Sequence, residues 1–554
     1  MKKALIYTAT LFATTLGGCN VLDVDPTDKL SETTTYSSIE NLDLYVKSFY
    51  GILYTSTTCE IRSANLSDGF SDLVKYSWYN TTGGTFNKFF YTPNYLTPEN
   101  CGFMTPWSDL YRRIRQTNEY FADLSAGYAD GLDPEELKIR TAETRFMRAF
   151  AYQDLALRHG GVILRVSETS VDGPEEKDKA RSSKEDTWDF IINEYRKAAA
   201  DLPEEWDSSN TGRVTKGSAW GMMARAALYA GHWDEALEAC NEVEKLAAKG
   251  IYQLMDEYSD VFTVVNNKEL LVTVNFDSPD LQHDFDTNFA PTGDRIGFCG
   301  GVATPTDEFA SSFDIQINGE WKAFDWDEVI TENIDPWTNR DPRFYATILY
   351  NGADWKGRKI ELFVDGVDGF VPYTGTADDV RKSTTGYSFR KFVKEDPDED
   401  FSFTKSDQFW IEMRYAEIFL IKSEAYARKN DFTNAYIELN KLRQTRSSVQ
   451  LPALPQQTNW DSYLTDLQKE RICELGLEGH RYWDLRRWGI AEQTLNGSRV
   501  HGIKITKNSD DSYTYERVDA DTQDRIYTSK YDVAPIPQDE IRNNTLCKQD
   551  PAWE

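Results

Sequence analysis

Three kinds of side chain in this 554-residue sequence could do chemistry. They are histidines and carboxylates, a cysteine close to the N-terminus, and aromatic rings set in polar stretches. Five histidines (His159, His232, His283, His480 and His501) show no His-Glu-x-x-His or other metal-ligand spacing. There is no Gly-x-Ser-x-Gly elbow, and Gly297-Phe298-Cys299-Gly300-Gly301 is too short and misplaced for a dinucleotide loop. With 91 acidic residues, a carboxylate pair at glycosidase spacing arises by chance. Asp396-Pro397-Asp398-Glu399-Asp400 has the look of a calcium loop but lacks its glycine and distal glutamate, so it reads as a solvated acidic loop. No cofactor is expected, and calcium has no specific motif here. The rings offer flat apolar faces for stacking, so the expected chemistry is recognition without bond-making.

The cysteine is Cys19. Met1-Lys2-Lys3 is a positive head, and Ala4 to Leu16 is an apolar, threonine-rich run too short to span a bilayer. Gly17 and Gly18 then let the chain extend into a peptidase cleft ahead of Cys19. This layout resembles the bacterial lipoprotein box, Leu-x-Gly-Cys, in which the thiol takes a diacylglyceryl group and becomes the first mature residue. Acyl chains would hold the protein at a membrane without a spanning helix. Residues 1–18 are expected as signal peptide and 19–35 as an extended tether, with Pro26 and the cluster Ser31 to Thr35. Residues 36–554 are expected as one domain.

The formal net charge is −30, and loss of Lys2 and Lys3 with the signal makes it more negative. Such a surface repels phosphate backbones and anionic headgroups, which argues against nucleic acid as a partner. Cys59, Cys101, Cys240, Cys299, Cys473 and Cys547 show no CxxC spacing. Cys240 and Cys473 fall in helical patterns as small core residues. A Cys59–Cys101 bridge is chemically open but unspecified.

The elements that must position these groups are mostly helical. A helix is expected near Ile39 to Leu53, then a loop-rich, aromatic stretch over 54–105. Trp107, Leu110, Tyr111, Ile114 and Asn118 fall at helical spacing. Asp133 is the expected N-cap of a helix with Pro134 at its first position, burying Ala142, Phe146, Ala149, Phe150 and Leu157. Another runs from about Trp188 to Ala200. Residues 224–246 and 423–444 match at a shift of 199: Ala226 with Ala425, Gly231 with Asn430, Trp233 with Phe432, Ala236 with Ala435. Small residues let two helices approach, Gly or Asn ends the first, and an aromatic plugs the turn. This is the tetratricopeptide-type hairpin. The fold class is therefore mainly α, a helical-hairpin scaffold over about 36–249 and 405–500. A large irregular insertion over about 250–404 has short strands at Leu270–Val274 and Tyr387–Val393. His159 and His232, beside Gly160 and Gly231, are expected as cationic rings at helix C-termini.

The C-terminal third is the most specific. WIEMRYAEIFLIKSEAYA (410–427), ERICELGLEGHRYWDLRRW (470–488) and PIPQDEIRNNTL (535–546) stand with TPTDEFASSF (304–313) and NRDPRFYATI (339–348). Together with Cys19, Leu22-Asp23-Val24-Asp25-Pro26 and Leu30-Ser31-Glu32, they resemble the SusD/RagB family of outer-membrane nutrient-binding lipoproteins. Glu470, Arg471, Glu474 and Glu478 lie on a helix expected to stop at Gly479. With Arg481, Asp484, Arg486, Arg487, Trp483 and Trp488 they read as an ion-and-aromatic network locking the C-terminal helices. Pro535 and Pro537 make a stiff extended segment.

The resemblance implies a lipid-anchored, non-catalytic protein at the cell surface. It would bind an oligosaccharide or polysaccharide and deliver it to a SusC-like TonB-dependent transporter. Peptides or glycoprotein fragments are the alternative ligand, and a lipid-anchored glycoside hydrolase a more distant one. A sugar ring has an apolar C–H face for aromatics and a polar rim for Asn, Asp and Arg. The candidates are Trp78, Tyr79, Asn80, Tyr91, Asn94 and Tyr95 before the Trp107 helix, and Phe285, Arg295, Trp321 and Trp326 in the insertion. Trp78 and Tyr79, beside Ser77 and Asn80-Thr81-Thr82-Gly83-Gly84, are the leading pair. Trp107 and Trp337 rank lower, with packing roles.

Overall fold

The computed structural model describes residues 31–554 except 56–58, 63–64, 78–80, 172, 295–299, 375–381 and 397–404. Cys19, the signal segment and most of the expected tether lie outside the described residues. The tether's last residues do not run extended. Ser31 accepts a hydrogen bond from the Thr34 N–H and caps a turn, α1 (Glu32–Thr35), that buries Thr35. Helix α2 (Ile39–Phe49) follows, capped by Ser38 and continued as a 3-10 turn to Ile52.

The expected loop over 54–105 contains a three-residue strand, β1 (Val74–Tyr76), and a helix, α3 (Thr81–Tyr91). Gly83-Gly84 and the polar neighbours suggest a loop, but burial of Phe86, Phe89 and Phe90 outweighs weak propensity. Next come α4 (Trp107–Ser125) and α5 (Pro134–His159). Asp133 caps α5 through the Glu135 and Glu136 N–H groups with Pro134 at its first position. A short α6 (Pro174–Lys177) leads to α7 (Lys184–Asp201).

The two hairpins form as the residue pattern requires. Helices α8 (Lys216–Ala230) and α9 (Trp233–Ala248) turn at Gly231, whose φ of 80° is left-handed. The later pair, Tyr415–Arg428 and Phe432–Gln444, turns at Asn430 with φ 63°. Ala226, Ala236, Ala425 and Ala435 are all fully buried where the helices meet. Helices α4, α5, α7, α8 and α9 pack in chain order, and α9 then packs on the Tyr415–Arg428 helix, joining the two distant hairpins in one stack.

The insertion is a set of two-stranded ribbons. Strand β2 (Leu270–Val274) pairs antiparallel with Trp410–Arg414, and β1 with β3 (Ala303–Pro305). The strand expected over Tyr387–Val393 is only Ser388–Phe389, after which Phe392 takes a φ of 67° and turns the chain. The Trp460–Leu475 helix ends at Gly476, before Gly479. Leu477 and Gly479 both adopt positive φ in the succeeding turn. A Cβ at Gly476 would sit 2.3 Å from Phe309, so the close approach of the insertion requires glycine at the helix end.

The C-terminal charges are structural, in agreement with the network reading. Glu474 accepts from Arg343 (3.0 Å), Arg414 (2.7 Å) and Arg446 (3.0 Å), all buried. Glu470 joins Arg343 to Arg443, and Glu478 joins Arg414 to Lys391. Burial alone would raise the Glu474 carboxyl, but the three arginines hold it well below the usual carboxylate range.

His159 is not cationic. Its ring is buried between the Thr105 hydroxyl (2.8 Å) and the Ala534 carbonyl (3.0 Å), and burial pushes it down to about 3. His232 lies past Gly231, at the start of α9, where it meets Glu235 at 2.8 Å. Cys59 and Cys101 are buried free thiols, not a disulfide.

Candidate functional site

Strand β1 roots the site. Val74, Lys75 and Tyr76 are all buried and pair with Pro305, Thr304 and Ala303. The Ser77 N–H extends the ladder by donating to the Val302 carbonyl at 2.9 Å. The Thr385 hydroxyl meets that of Thr304 at 2.9 Å, and the Val371 N–H donates to the Ser383 carbonyl at 3.0 Å. The described flanks of residues 78–80, 295–299 and 375–381 therefore arise around this one ribbon, at Ser77, Gly300 and Thr374. Trp78, Tyr79, Asn80 and Arg295 lie outside the described residues.

Lys75 is the chemical centre of the patch. Its ammonium donates to Asn87 Oδ1 (2.7 Å) and to the Tyr91 hydroxyl (2.7 Å), and pairs with Asp521 at 2.9 Å. It also lies 3.8 Å from the centre of the Tyr373 ring, on a buried cation–π contact. Burial alone would raise the Asp521 carboxyl, but Arg525 and Lys75 keep it well below the ordinary carboxylate range. Sequence reasoning missed Lys75, Tyr373 and Asp521 as a unit. A lysine inside Leu73-Val74-Lys75-Tyr76 was the available signal, because a charge in an apolar strand needs a partner.

Tyr91 ends α3 half-buried, its hydroxyl tied to Lys75 and Asp521. Asn94 is exposed with a φ of 54°, and Tyr95 is half-buried with its ring 5.3 Å from that of Phe103. Of these three, Tyr91 is the one tied to the ribbon, through Lys75. Trp321 is half-buried on a separate hairpin, Ile315–Ile317 with Glu320–Lys322.

Two expected ligand residues are core residues. Phe285 is 2% exposed and packs on Phe289 with ring centres 4.6 Å apart. Trp326 is 5% exposed and donates from its indole N–H to Asp307 at 2.8 Å. Neither presents a face to an external ligand, because short insertion helices turn both inward. Trp107 and Trp337 are buried, as their packing roles require.

Two other concavities have different chemistry. Glu60, Asp154, Arg225, Glu412, Glu478 and His480 line a cavity of ≈ 60 Å³. That is room for about two waters and far too little for a sugar ring. Burial raises the Glu60 carboxyl to about 8 and the Glu412 carboxyl to about 7. A wider groove, ≈ 710 Å³, runs past Tyr258, Phe262, Tyr345, Arg390, Phe392 and Gln408. Its donors are engaged internally, Gln408 with the Phe262 carbonyl and Arg390 with Glu395. Among the described residues no group of three or more His, Cys, Asp or Glu side chains could hold a metal ion. Of the acidic run 396–400 only Asp396 is described. No helix among the described residues is long and apolar enough to cross a membrane.

Comparison with known proteins adds the family. Residues 268–553 match the SusD family, and residues 21–228 match a family described as starch-binding, associating with the outer membrane. A SusD-like protein of Formosa agariphila is 25% identical over 405 residues, 69% of this chain and 70% of its own. A SusD-like protein from Bacteroides fragilis superposes with a TM-score of 0.77 at 24% identity, covering 93% of this chain and 97% of that one. A laminarin-binding SusD-like protein gives 0.64 at 21% identity over 92% and 99%. The helical-hairpin stack, the ribbon-rich insertion and these matches together establish that the chain belongs to the SusD family.

Proposed function

We propose that this protein is a lipid-anchored, non-catalytic receptor at the cell surface. It takes up an oligosaccharide or polysaccharide on the face rooted at β1 and β3. It then passes the ligand to a SusC-like TonB-dependent channel of the outer membrane. Cys19 carries the acyl chains, the residues just after it act as the tether, and residues 36–554 form the binding domain.

One observation carries the reading. Ser77, the last described residue before Trp78, Tyr79 and Asn80, is held on the β1–β3 ribbon, and Tyr91 is tied to the same ribbon through Lys75. The aromatic and amide side chains that the sequence sets after Ser77 suit the two faces of a pyranose. The starch-binding description of the family and the laminarin-binding relative support a glucan as the first ligand to try.

The test is affinity gel electrophoresis of the soluble chain starting after Cys19 in gels containing starch, laminarin or other polysaccharides, with calorimetry on oligosaccharides and peptides alongside. Trp78→Ala is expected to weaken glycan binding about tenfold or more while leaving the melting curve nearly unchanged. Equal loss of folding and binding would assign Trp78 to the core and remove the platform. Binding of peptides alone would replace the ligand class, and new reducing ends in the incubation would replace the non-catalytic reading.

A further inference from the structure

A further groove, ≈ 370 Å³, lies on the helical scaffold and shares no lining residue with the β1–β3 ribbon. Trp206, Ile251, Tyr252, Asn266 and Thr273 are part of its wall. Trp206 belongs to the connection between α7 and α8, residues 202–215, which is longer than the about 2–8 residues that usually join packed helices. The connection is built rather than slack. The Lys216 N–H closes its base on the Pro203 carbonyl at 2.8 Å, and Asp207 caps a 3-10 turn through the Ser209 N–H at 2.9 Å. The Trp206 indole N–H donates to the Val214 carbonyl at 2.9 Å. Its ring centre lies 4.5 Å from the Arg213 guanidinium and 5.9 Å from that of Arg140. Asp43 pairs with both arginines, and Glu143 accepts from Arg213 at 2.8 Å. The indole is thus fixed in direction before any ligand arrives, yet it stays half-buried.

The rest of the wall says what would sit there. Thr273 on β2 and Asn266, exposed with a φ of 57°, have side chains without a hydrogen bond to another described residue. The cations of the wall are engaged internally: Arg213 with Asp43 and Glu143, and Lys268 with the Gly250 carbonyl at 3.0 Å. Glu204 and Glu205 add negative charge. A phosphate or carboxylate would therefore meet acids and no open cation. A neutral ring with an apolar face for Trp206 and Ile251, and hydroxyls for Thr273 and Asn266, meets a matching wall. The volume falls within the roughly 300–1,000 Å³ of small-molecule sites. Resting on the reading of this chain as a glycan receptor, we propose that the Trp206 groove is a second, separate subsite for a neutral sugar. Trp206 stacks on the ring, and Thr273 and Asn266 hydrogen-bond its rim.

The test uses the soluble chain starting after Cys19, with maltotriose and laminaritriose at millimolar concentration. Hydroxyl-radical footprinting read by mass spectrometry reports the exposure of Trp206. Occupation predicts that at least one of the two sugars slows Trp206 oxidation about twofold or more, since half occupancy already halves the rate. Thr273→Val keeps the shape and removes the hydroxyl, and Asn266→Gly removes the amide and keeps the left-handed backbone. Each is expected to raise the sugar concentration for half-protection about fivefold, with an unchanged melting curve. No protection by either sugar overturns the inference. Protection that neither variant weakens places the sugar outside the groove and also overturns it. Equal protection by trialanine overturns the ligand class. Trp78→Ala separates the two claims. If that variant keeps both polysaccharide retention and Trp206 protection, the β1 platform fails and the groove stands. If it loses retention while Trp206 of the unaltered protein is never protected, only the groove fails.

Discussion

At the scale of single residues, His159 shows how burial reverses an expectation drawn from neighbours. A histidine closing a helix invites a positive ring against the helix dipole. Here Nδ1–H donates to the Ala534 carbonyl and Nε2 meets the Thr105 hydroxyl, so the neutral ring has a partner at each nitrogen while burial and the nearby arginines disfavour the cation. In the unfolded chain the ring binds a proton near its ordinary value of about 6.5, and in the fold only near about 3. The unfolded state therefore gains a proton first, and stability falls as pH drops through that window. The slope from this group is about 1.4 kcal/mol per pH unit. His159→Gln, whose amide can copy both bonds, is expected to remove that contribution. Urea unfolding between pH 6 and 4 should show a shallower loss than in the unaltered protein, and an identical slope would mean the ring is protonated in the fold. The buried Phe285 and Trp326 teach the same lesson. Their residue types promised stacking, but exposure is a tertiary property that no local pattern in the insertion encodes.

At the scale of elements, the hairpins were legible because their rules are local. Gly231 at φ 80° and Asn430 at φ 63° end their helices in the conformation those two residue types tolerate best. Gly231→Val should cost about 1–2 kcal/mol from the left-handed backbone alone, since space near its Cβ is ordinary. Gly231→Asn should cost much less. Thermal melts of the pair decide this, and equal melting temperatures would mean the turn relaxes. Helix α3 was not legible. Its threonines and Gly83-Gly84 are poor helix formers, and only the long-range burial of Phe86, Phe89 and Phe90 makes it. The need for glycine at 476 was equally hidden, because Phe309, which leaves no room for a Cβ there, lies far away in sequence. For the proposed ligand face, the sequence marked Trp78 and Tyr79 as candidates. It did not reveal the β1–β3 ribbon that holds Ser77 just before them, since three-residue strands leave no periodicity to read.

At the scale of the whole molecule, Glu474 is the point where scaffold and insertion lock. It sits on the Trp460–Leu475 helix and receives Arg343 from the insertion, Arg414 from the strand leading into the second hairpin, and Arg446 from beyond that hairpin. Glu474→Leu leaves three buried guanidinium groups short of a partner and should cost roughly 3–5 kcal/mol. A fall in the urea midpoint with unchanged slope would report it, and an unaltered midpoint would show that Glu269, Glu470 and Glu478 suffice. The charge pattern of 470–488 was readable as structural, but its partners Arg343, Lys391 and Arg446 were not, since nothing local marks them. This wiring has a practical corollary for engineering new specificities. The insertion is no detachable cassette: a transplant from a cousin protein that omits Arg343 or Lys391 strands acids in the recipient's heart. Successful grafts should therefore exchange the short tips alone and leave their basic roots in place.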